Sequence, residues 1–431
     1  MAVLPGLEHS TQSATVGQPF SYDASLAGKA FIDQGGSALQ YEITFGPNPN
    51  GLKAQGATIS GTAVAPMPML ISVKARNATG ATAQAVFTLI AFDSTLRAPV
   101  LSAEVPTYDG VPPHVASQAA MIISDNAPPD DGIREYAITL GRVLFYDRRL
   151  SVNDRISCSS CHMQQFGFSD TARFSRGFAG GSPRRHTMSL VNTRFYRPNR
   201  FFWDERATSL EQLVLMPIQD PIEMGLNANY IVPKLETAGY YQALFQQAFG
   251  SPEITLARVS SALAQFVRSL MSYRSRFDEP LIATGSELAA GYLSAQELQG
   301  LELFRVNCFA CHTSVGHVAV VARNNGLDAV SSDEGAGGSR FKVPSLRNVA
   351  VTAPYMHDGR FRTLEEVIDF YDSGVNNSPN LDSFLQEADG SVVRLKLTGA
   401  QKAALAAFLR TLTDRQFLED PRFGDPFPRR H

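Results

Sequence analysis

Two copies of the pattern Cys-x-x-Cys-His, at residues 158–162 and 308–312, contain all four cysteines of this chain. In such a pattern both cysteines bond covalently to a haem, and the histidine is left as the proximal iron ligand. Zinc or a redox dithiol is the alternative, but zinc needs four converging ligands and a dithiol needs no histidine after each pair. The sequence therefore predicts two haems of the c type, held by Cys158, Cys161, His162, Cys308, Cys311 and His312.

Bulk properties narrow the class of protein further. At 431 residues two or three domains are expected, and a net charge of −3 gives no electrostatic footprint for nucleic acid. The sequence contains no run of about 18 apolar residues, so it predicts no membrane span. Haem c is normally attached after export, so we expect a periplasmic or secreted protein. Residues 1–5 lack the features of a signal peptide, so we expect that the signal has been removed or replaced.

Residues 1–95 are rich in Gly, Ala, Thr and Ser and contain short alternating runs. Strands separated by turns are typical of a β-sandwich. Residues 16–20 and 59–62 also resemble bacterial immunoglobulin-like modules. The prediction is an all-β immunoglobulin-like sandwich over residues 1–95, with strands near 39–43, 70–75 and 85–90 and a turn at 77–81.

The rest of the chain divides into a linker and two helical parts. Residues 96–133 contain six prolines and predict a linker or a strap laid over a surface. Helical periodicity begins near residue 134, with long helices predicted at 135–146 and 254–277. Ser or Thr followed three residues later by Glu or Gln predicts capping boxes at 294–297, 363–366 and 398–401.

A short repeat precedes both cysteine motifs. Gly-x-x-Leu-Phe occurs at residues 141–145 and again at 300–304. A helix that leads into a Cys-x-x-Cys-His loop is how cytochrome c domains begin, so the repeat predicts two mostly α-helical domains of that kind, at 134–285 and 286–431. Coincidence of a five-residue pattern is the alternative.

Five further segments make residues 134–415 resemble the bacterial di-haem cytochrome c peroxidase and MauG family. They lie at residues 140–147, 202–207, 217–225, 342–348 and 352–359. The resemblance implies a peroxidase in which hydrogen peroxide reacts at the first haem. It also implies two site residues there: Glu223 as the carboxylate that moves the peroxide protons, and Pro217 as part of the pocket wall. A surface acid or a helix cap is the plainer interpretation of Glu223.

The chain departs from the family at residue 213, where a leucine stands in place of a frequent glutamine. Gln212 is adjacent, but neighbours on a helix point about 100° apart, so we do not expect it to substitute. His186 matches a loop that caps the first haem in many relatives, and we favour a hydrogen-bonding role for it over ligation. Trp203, the single tryptophan, is implied to relay electrons between the haems.

The resemblance places Tyr371 where peroxidases of this family carry the methionine ligand of the second haem. A phenolate stabilises ferric and higher-valent iron, whereas methionine favours ferrous iron. Tyr371 also fits an apolar helical stripe and could be a core residue, and Met356 is a rival ligand. The family further implies one Ca²⁺ bound by Asn192, Thr352 and Pro354. Arg347 and His357 are implied to lie near the haems.

Together these features predict a MauG-like di-haem peroxidase that oxidises a substrate, possibly a partner protein, by long-range electron transfer. One alternative is a conventional cytochrome c peroxidase that takes electrons from a small redox protein. A non-enzymatic di-haem electron carrier is another, and an oxygenase for a large organic substrate is the weakest.

Overall fold

The computed structural model describes residues 1–3, 6–8, 10–108, 114, 125–127, 134–196, 200–285, 291–312 and 321–428. The N-terminal part is made of strands and the remainder of helices, as expected. No helix among the described residues has both the length and the apolar character needed to cross a bilayer.

Residues 2–92 form the β-sandwich. The strands are β1 (Ala2–Val3), β2 (Thr11–Thr15), β3 (Pro19–Asp23), β4 (Phe31–Ile32), β5 (Gln40–Phe45), β6 (Leu52–Gln55), β7 (Thr58–Thr62), β8 (Met67–Arg76) and β9 (Thr82–Phe92). One sheet has the order β2-β9-β8-β5 and the other the order β3-β7-β6, with a separate β1-β4 pair. Alternate side chains of both sheets fill one core, which includes Ile59, Val73 and Phe87. The expected turn at 77–81 closes the β8-β9 hairpin.

Two helix pairs, each led by one copy of the sequence repeat, organise the rest of the chain. The helices are α1 (Glu135–Tyr146), α2 (Leu210–Gln219), α3 (Ala228–Glu236), α4 (Tyr240–Phe249), α5 (Leu256–Ser269), α6 (Glu279–Thr284), α7 (Ala295–Asn307), α8 (Leu364–Asp369), α9 (Gly399–Thr411) and α10 (Arg415–Glu419). Helix α1 packs on α5, and α7 packs on α9 in the same way. All three predicted capping boxes are present, at the starts of α7, α8 and α9.

The helix predicted over residues 254–277 was too long, because α5 ends at Ser269. Beyond it, the backbone N–H of Ser272 donates to the Asn192 side chain at 2.9 Å, and that of Arg274 donates to Asp414 at 2.9 Å. These distant side chains take backbone groups that a helix would have used, so the chain leaves the helical path here.

The domain boundaries remain a prediction, and two segments cross them. Phe277 packs in the core of the α7-α9 pair, whereas Phe417 and Phe423 pack in the core of the α1-α5 pair. Of the proline-rich segment, residues 96–108 form no helix or strand and lie against the C-terminal residues, where Val100 bonds to Pro426. Residues 109–113, 115–124 and 128–133 of that segment lie outside the described residues.

Candidate active site

Nδ1 of each motif histidine contacts a backbone carbonyl. Nδ1 of His162 lies 2.8 Å from the carbonyl oxygen of Phe168, and Nδ1 of His312 lies 3.2 Å from that of Pro344. Because a carbonyl can only accept, Nδ1 carries the proton and Nε2 is left for a metal. Burial lowers the pKa of both rings, that of His312 to about 4, so both are neutral, as iron ligation requires.

The motif cysteines are poor thiolates. Burial raises the pKa of Cys158 and of Cys308 to about 12. Zinc would need four converging ligands, and among the described residues no three His, Cys, Asp or Glu side chains come together as a metal site. Thiols beside a neutral, metal-facing imidazole therefore fit a covalently held haem at each motif.

A cavity of about 1120 Å³ brings together the residues predicted for the first site. The first motif lines one wall, and Pro217, Glu223 and Trp203 line the others. Leu213 also faces the cavity. Gln212 is exposed and its side-chain oxygen accepts hydrogen bonds from Thr208 at the start of α2, so it does not replace a pocket glutamine, as expected.

Glu223 is held in the cavity wall by a close backbone contact. Phe178 donates its N–H to the carbonyl of Glu223 at 2.8 Å, and a methyl group on Gly177 would lie 1.6 Å from the carbonyl oxygen of Ile222. Only glycine permits this approach. Burial, and secondarily the charge of Asp220, raises the pKa of Glu223. Its charge in turn raises the pKa of Cys158, so the carboxylate faces the first motif.

Trp203 lies at the junction of the two haem motifs. Its indole N–H donates to the carbonyl of His186 at 2.8 Å, and its own carbonyl accepts from the N–H of Lys342 at 2.9 Å. Lys342 is two residues before Pro344, whose carbonyl orients His312. One short backbone path thus links Trp203 to the second motif.

His186 has a hydrogen-bonding position in this structure. The ring is buried, with Nδ1 3.2 Å from the carbonyl of Ala172 and Nε2 3.3 Å from the hydroxyl of Ser169. Both nitrogens of His186 therefore have partners in the loop, in agreement with the expected loop role.

His357 stacks on Phe341 with ring centroids 3.6 Å apart, and it lines the same cavity.

At the second motif, Tyr371 and its rival Met356 contact the same side chain. The amide nitrogen of Asn325 lies 3.2 Å from the phenol oxygen of Tyr371 and 3.6 Å from the sulfur of Met356. Burial raises the pKa of Tyr371 to about 12, the bond from Asn325 opposes this rise, and the charges of Cys311 and Cys308 add to it. Tyr371 is therefore close enough to the second cysteine pair for the cysteine charges to act on its phenol.

The calcium site at Asn192, Thr352 and Pro354 remains a prediction. Asn192 is fully buried, and its side-chain oxygen accepts the N–H of Ser272. Arg347, expected near a haem, forms a buried ion pair with Asp278 at 2.5 Å.

Sequence reasoning did not single out Asn325 or Lys342 as site residues. Lys342 lies within a recognised segment, and its burial beside Trp203 was the missing information. Asn325 belongs to none of the recognised segments, and no sequence pattern distinguishes it from the other asparagines.

Comparison with known proteins gives two family matches. Residues 135–285 match the family model described as di-haem cytochrome c peroxidase, and residues 2–91 match that described as putative Ig domain. The methylamine utilization protein MauG of Methylorubrum extorquens is 35% identical over 64% of this chain and 77% of its own length. The cytochrome c551 peroxidase of Nitrosomonas europaea is 33% identical over 53% of this chain and 71% of its own.

Solved structures agree with these matches. A MauG-like protein associated with microbial copper homeostasis has a TM-score of 0.61 and 32% identity, over 76% of this chain and 99% of its own. The di-haem peroxidase BthA of Burkholderia thailandensis has a TM-score of 0.54 over 71% of this chain and 94% of its own. At 22% identity, the second likeness concerns the fold alone.

Proposed function

This chain belongs to the di-haem cytochrome c peroxidase and MauG family and is a peroxidase, and we propose that it oxidises its substrate by the MauG-like route. In that route hydrogen peroxide is reduced at the first site, and electrons come from a substrate that never enters the cavity. Because haem c is attached after export, the proposed location is the periplasm or the cell exterior.

The haems would be held by two equivalent sets of residues, as the two cytochrome c-like halves predict. When bound, they supply the iron at which peroxide reacts and the capacity to store oxidising equivalents. His162 and His312 each present a neutral nitrogen to the metal. Tyr371 would be a further ligand of the second haem, whereas no second protein ligand is proposed for the first.

Glu223 is the proposed acid–base group of the first site. A carboxylate there takes a proton from one peroxide oxygen and returns it to the leaving one, which contributes typically ~10²–10⁴-fold. Its raised pKa makes it a stronger base than an exposed glutamate. Pro217 and Leu213 give this wall no side-chain hydrogen-bond donor, so Glu223 is its proposed proton carrier.

Trp203 is the proposed electron relay between the two sites. Its indole is half-buried in the cavity wall, and its backbone bonds to Lys342 in the segment that orients His312. An extended π system at this junction can give up an electron to either side.

The buried hydroxyl of Tyr371, which Asn325 contacts at 3.2 Å and on which the charges of the second cysteine pair act, is the observation that carries the proposal. The test is the ferric electron paramagnetic resonance (EPR) spectrum of the wild type beside Tyr371→Met. A phenolate ligand predicts that the low-spin signal changes in the variant. An unchanged signal overturns the ligand assignment.

A conventional cytochrome c peroxidase is the second candidate, because Met356 also lies within reach of Asn325. Fast steady-state turnover with reduced cytochrome c would support it. A di-haem electron carrier would need both irons six-coordinate, and a high-spin ferric signal that peroxide removes would exclude it. The oxygenase alternative has no observation in its favour.

The partner and the calcium ion belong to the proposal as well. A protein substrate or redox partner suits a route in which electrons travel over a distance. Asn192, with the backbone of Thr352 and Pro354, is the proposed calcium site, and the immunoglobulin-like sandwich is the proposed docking module.

A further inference from the structure

A buried tyrosine lies directly behind the cavity wall that contains Trp203. Tyr196 is 0% exposed, and its hydroxyl donates to a carboxylate oxygen of Glu205 in a short hydrogen bond. Phe201 and Lys342, which both line the cavity, contact the Tyr196 ring from the other side. Tyr196 is therefore one side chain away from the space assigned to the first haem.

Glu205 adopts a backbone conformation that L-residues rarely take. Its φ is 56°, in the left-handed region, within a turn where its N–H bonds to the carbonyl of Phe202. Strained residues persist where the surrounding structure enforces them, and they cluster at functional sites. Here the turn aims the carboxylate at the only hydrogen-bonding group of the Tyr196 side chain.

We propose that Tyr196 is a further electron donor of this enzyme, and that Glu205 takes the phenolic proton when the tyrosine is oxidised. The inference rests on the proposed peroxidase function. Reduction of one H₂O₂ to two waters consumes two electrons and two protons. Tyr196 supplies one of these electrons and the substrate of the proposed function supplies the other, while the two protons come from solvent. The O–H bond of Tyr196 breaks, its proton forms a new O–H bond on Glu205, and a neutral tyrosyl radical is left.

The neighbouring charges favour this coupled step over loss of an electron alone. The ammonium group of Lys342 lies 4.4 Å from the centre of the Tyr196 ring, and it would repel a positively charged ring. Movement of the proton to Glu205 keeps the ring neutral. Glu205 is only half-buried, so the proton it receives can pass on to solvent.

Tyr241 provides a matched control. It is also fully buried and donates to a carboxylate, that of Asp147, at 2.6 Å. The carboxylate of Asp147 is already paired with Arg149 and with Tyr240. Neither Asp147 nor the two tyrosines that donate to it line the cavity. The same chemical pair is thus present without access to the site.

The test is freeze-quench EPR of the complete haem-loaded protein after mixing with H₂O₂. We expect a radical near g = 2 that narrows when ring-deuterated tyrosine is incorporated. Its yield should fall about tenfold or more in Tyr196→Phe, fall also in Glu205→Gln, and stay unchanged in Tyr241→Phe. Ferric spectra that match the wild type show that the variants are folded and loaded.

The outcomes separate this inference from the function on which it rests. If peroxide changes the haem spectrum but the radical persists in Tyr196→Phe, or is insensitive to deuterated tyrosine in the wild type, the inference is overturned and the peroxidase stands. An equal yield in Glu205→Gln overturns the proton-acceptor role. A wild-type haem spectrum that peroxide leaves unchanged overturns the proposed function itself.

Discussion

Two backbone carbonyls determine how the motif histidines meet a metal. The carbonyl of Phe168 is six residues from its histidine, and that of Pro344 is 32 residues away. Both impose the same tautomer, with the proton on Nδ1. A single kind of contact therefore prepares two sites that the chain builds from quite different local sequences.

Replacing Glu223 by glutamine should slow the reaction with peroxide by ~10²–10⁴-fold, because the amide cannot take the proton. In the wild type, the rate should fall as the pH falls through the raised pKa of Glu223, above its usual 4.5, since only the ionised carboxylate is a base. Stopped-flow absorbance measures both effects. Glu253→Gln, at an exposed glutamate, is the control. If Glu223→Gln lowered the rate no more than Glu253→Gln does at any pH, the acid–base role of Glu223 would be excluded.

Replacing Asn325 by leucine should weaken a phenolate ligand at the second iron. The amide of Asn325 donates to the phenol oxygen, which favours the ionised form. We expect the low-spin ferric signal to move toward that of Tyr371→Met, as measured by EPR. Met356→Leu removes the other contact of Asn325 and should leave the signal unchanged. A change in Met356→Leu alone would instead favour the thioether.

At the scale of elements, the sequence repeat corresponds to one packing contact made twice. A methyl group on Gly141 would lie 1.9 Å from the carbonyl oxygen of Ala262, and one on Gly300 would lie 2.0 Å from that of Ala404. Next to these contacts Phe145 packs on Phe266 and Phe304 on Phe408. The glycines let α1 approach α5, and α7 approach α9, closely enough for the aromatic pairs to form.

Gly141→Ala and Gly300→Ala should therefore destabilise the fold by about 3 kcal/mol each, because the added methyl forces a helix pair apart. Thermal or urea unfolding of the loaded protein measures this. Gly239→Ala is the control, since nothing lies within 4 Å of a methyl group there. If both variants were as stable as Gly239→Ala, the close approach of the helices would contribute nothing to the free energy of unfolding.

At the scale of the whole molecule, the sandwich has its own core and contacts the helical part near its C-terminal end. All buried members of its core lie between Leu7 and Ala91. The N–H of Asp93 bonds to Asp154 at 3.4 Å, and Arg149 donates to the carbonyl of Leu96 at 3.0 Å. The sandwich is thus a separate unit attached beside the first haem motif, as a docking module would be.

Deletion of residues 1–95 should leave the reaction with peroxide intact and weaken oxidation of a protein partner. The cavity residues all lie after residue 144, and the sandwich core is self-contained. Stopped-flow absorbance measures the first effect and partner turnover the second. Partner turnover that equals that of the full chain, with unchanged haem spectra, would count against docking.

The sequence by itself determined what depends on neighbouring residues. The bounds of α1 follow from its run of apolar residues, and the three capping boxes follow from side chains within one turn of the backbone that they stabilise. The two haem motifs are likewise complete within five residues each, and Gln212 was correctly excluded from the cavity by helical geometry alone.

Tertiary structure decided what depends on partners far apart in the chain. The end of α5 was missed because Asn192, 80 residues from Ser272, takes the backbone group that would have continued the helix. The contact of Asn325 with Tyr371 and the contact of Lys342 with Tyr196 each join segments that only folding brings together. Local rules fix a helix end or a motif, whereas the surroundings of a buried group are fixed by the packing of the whole chain.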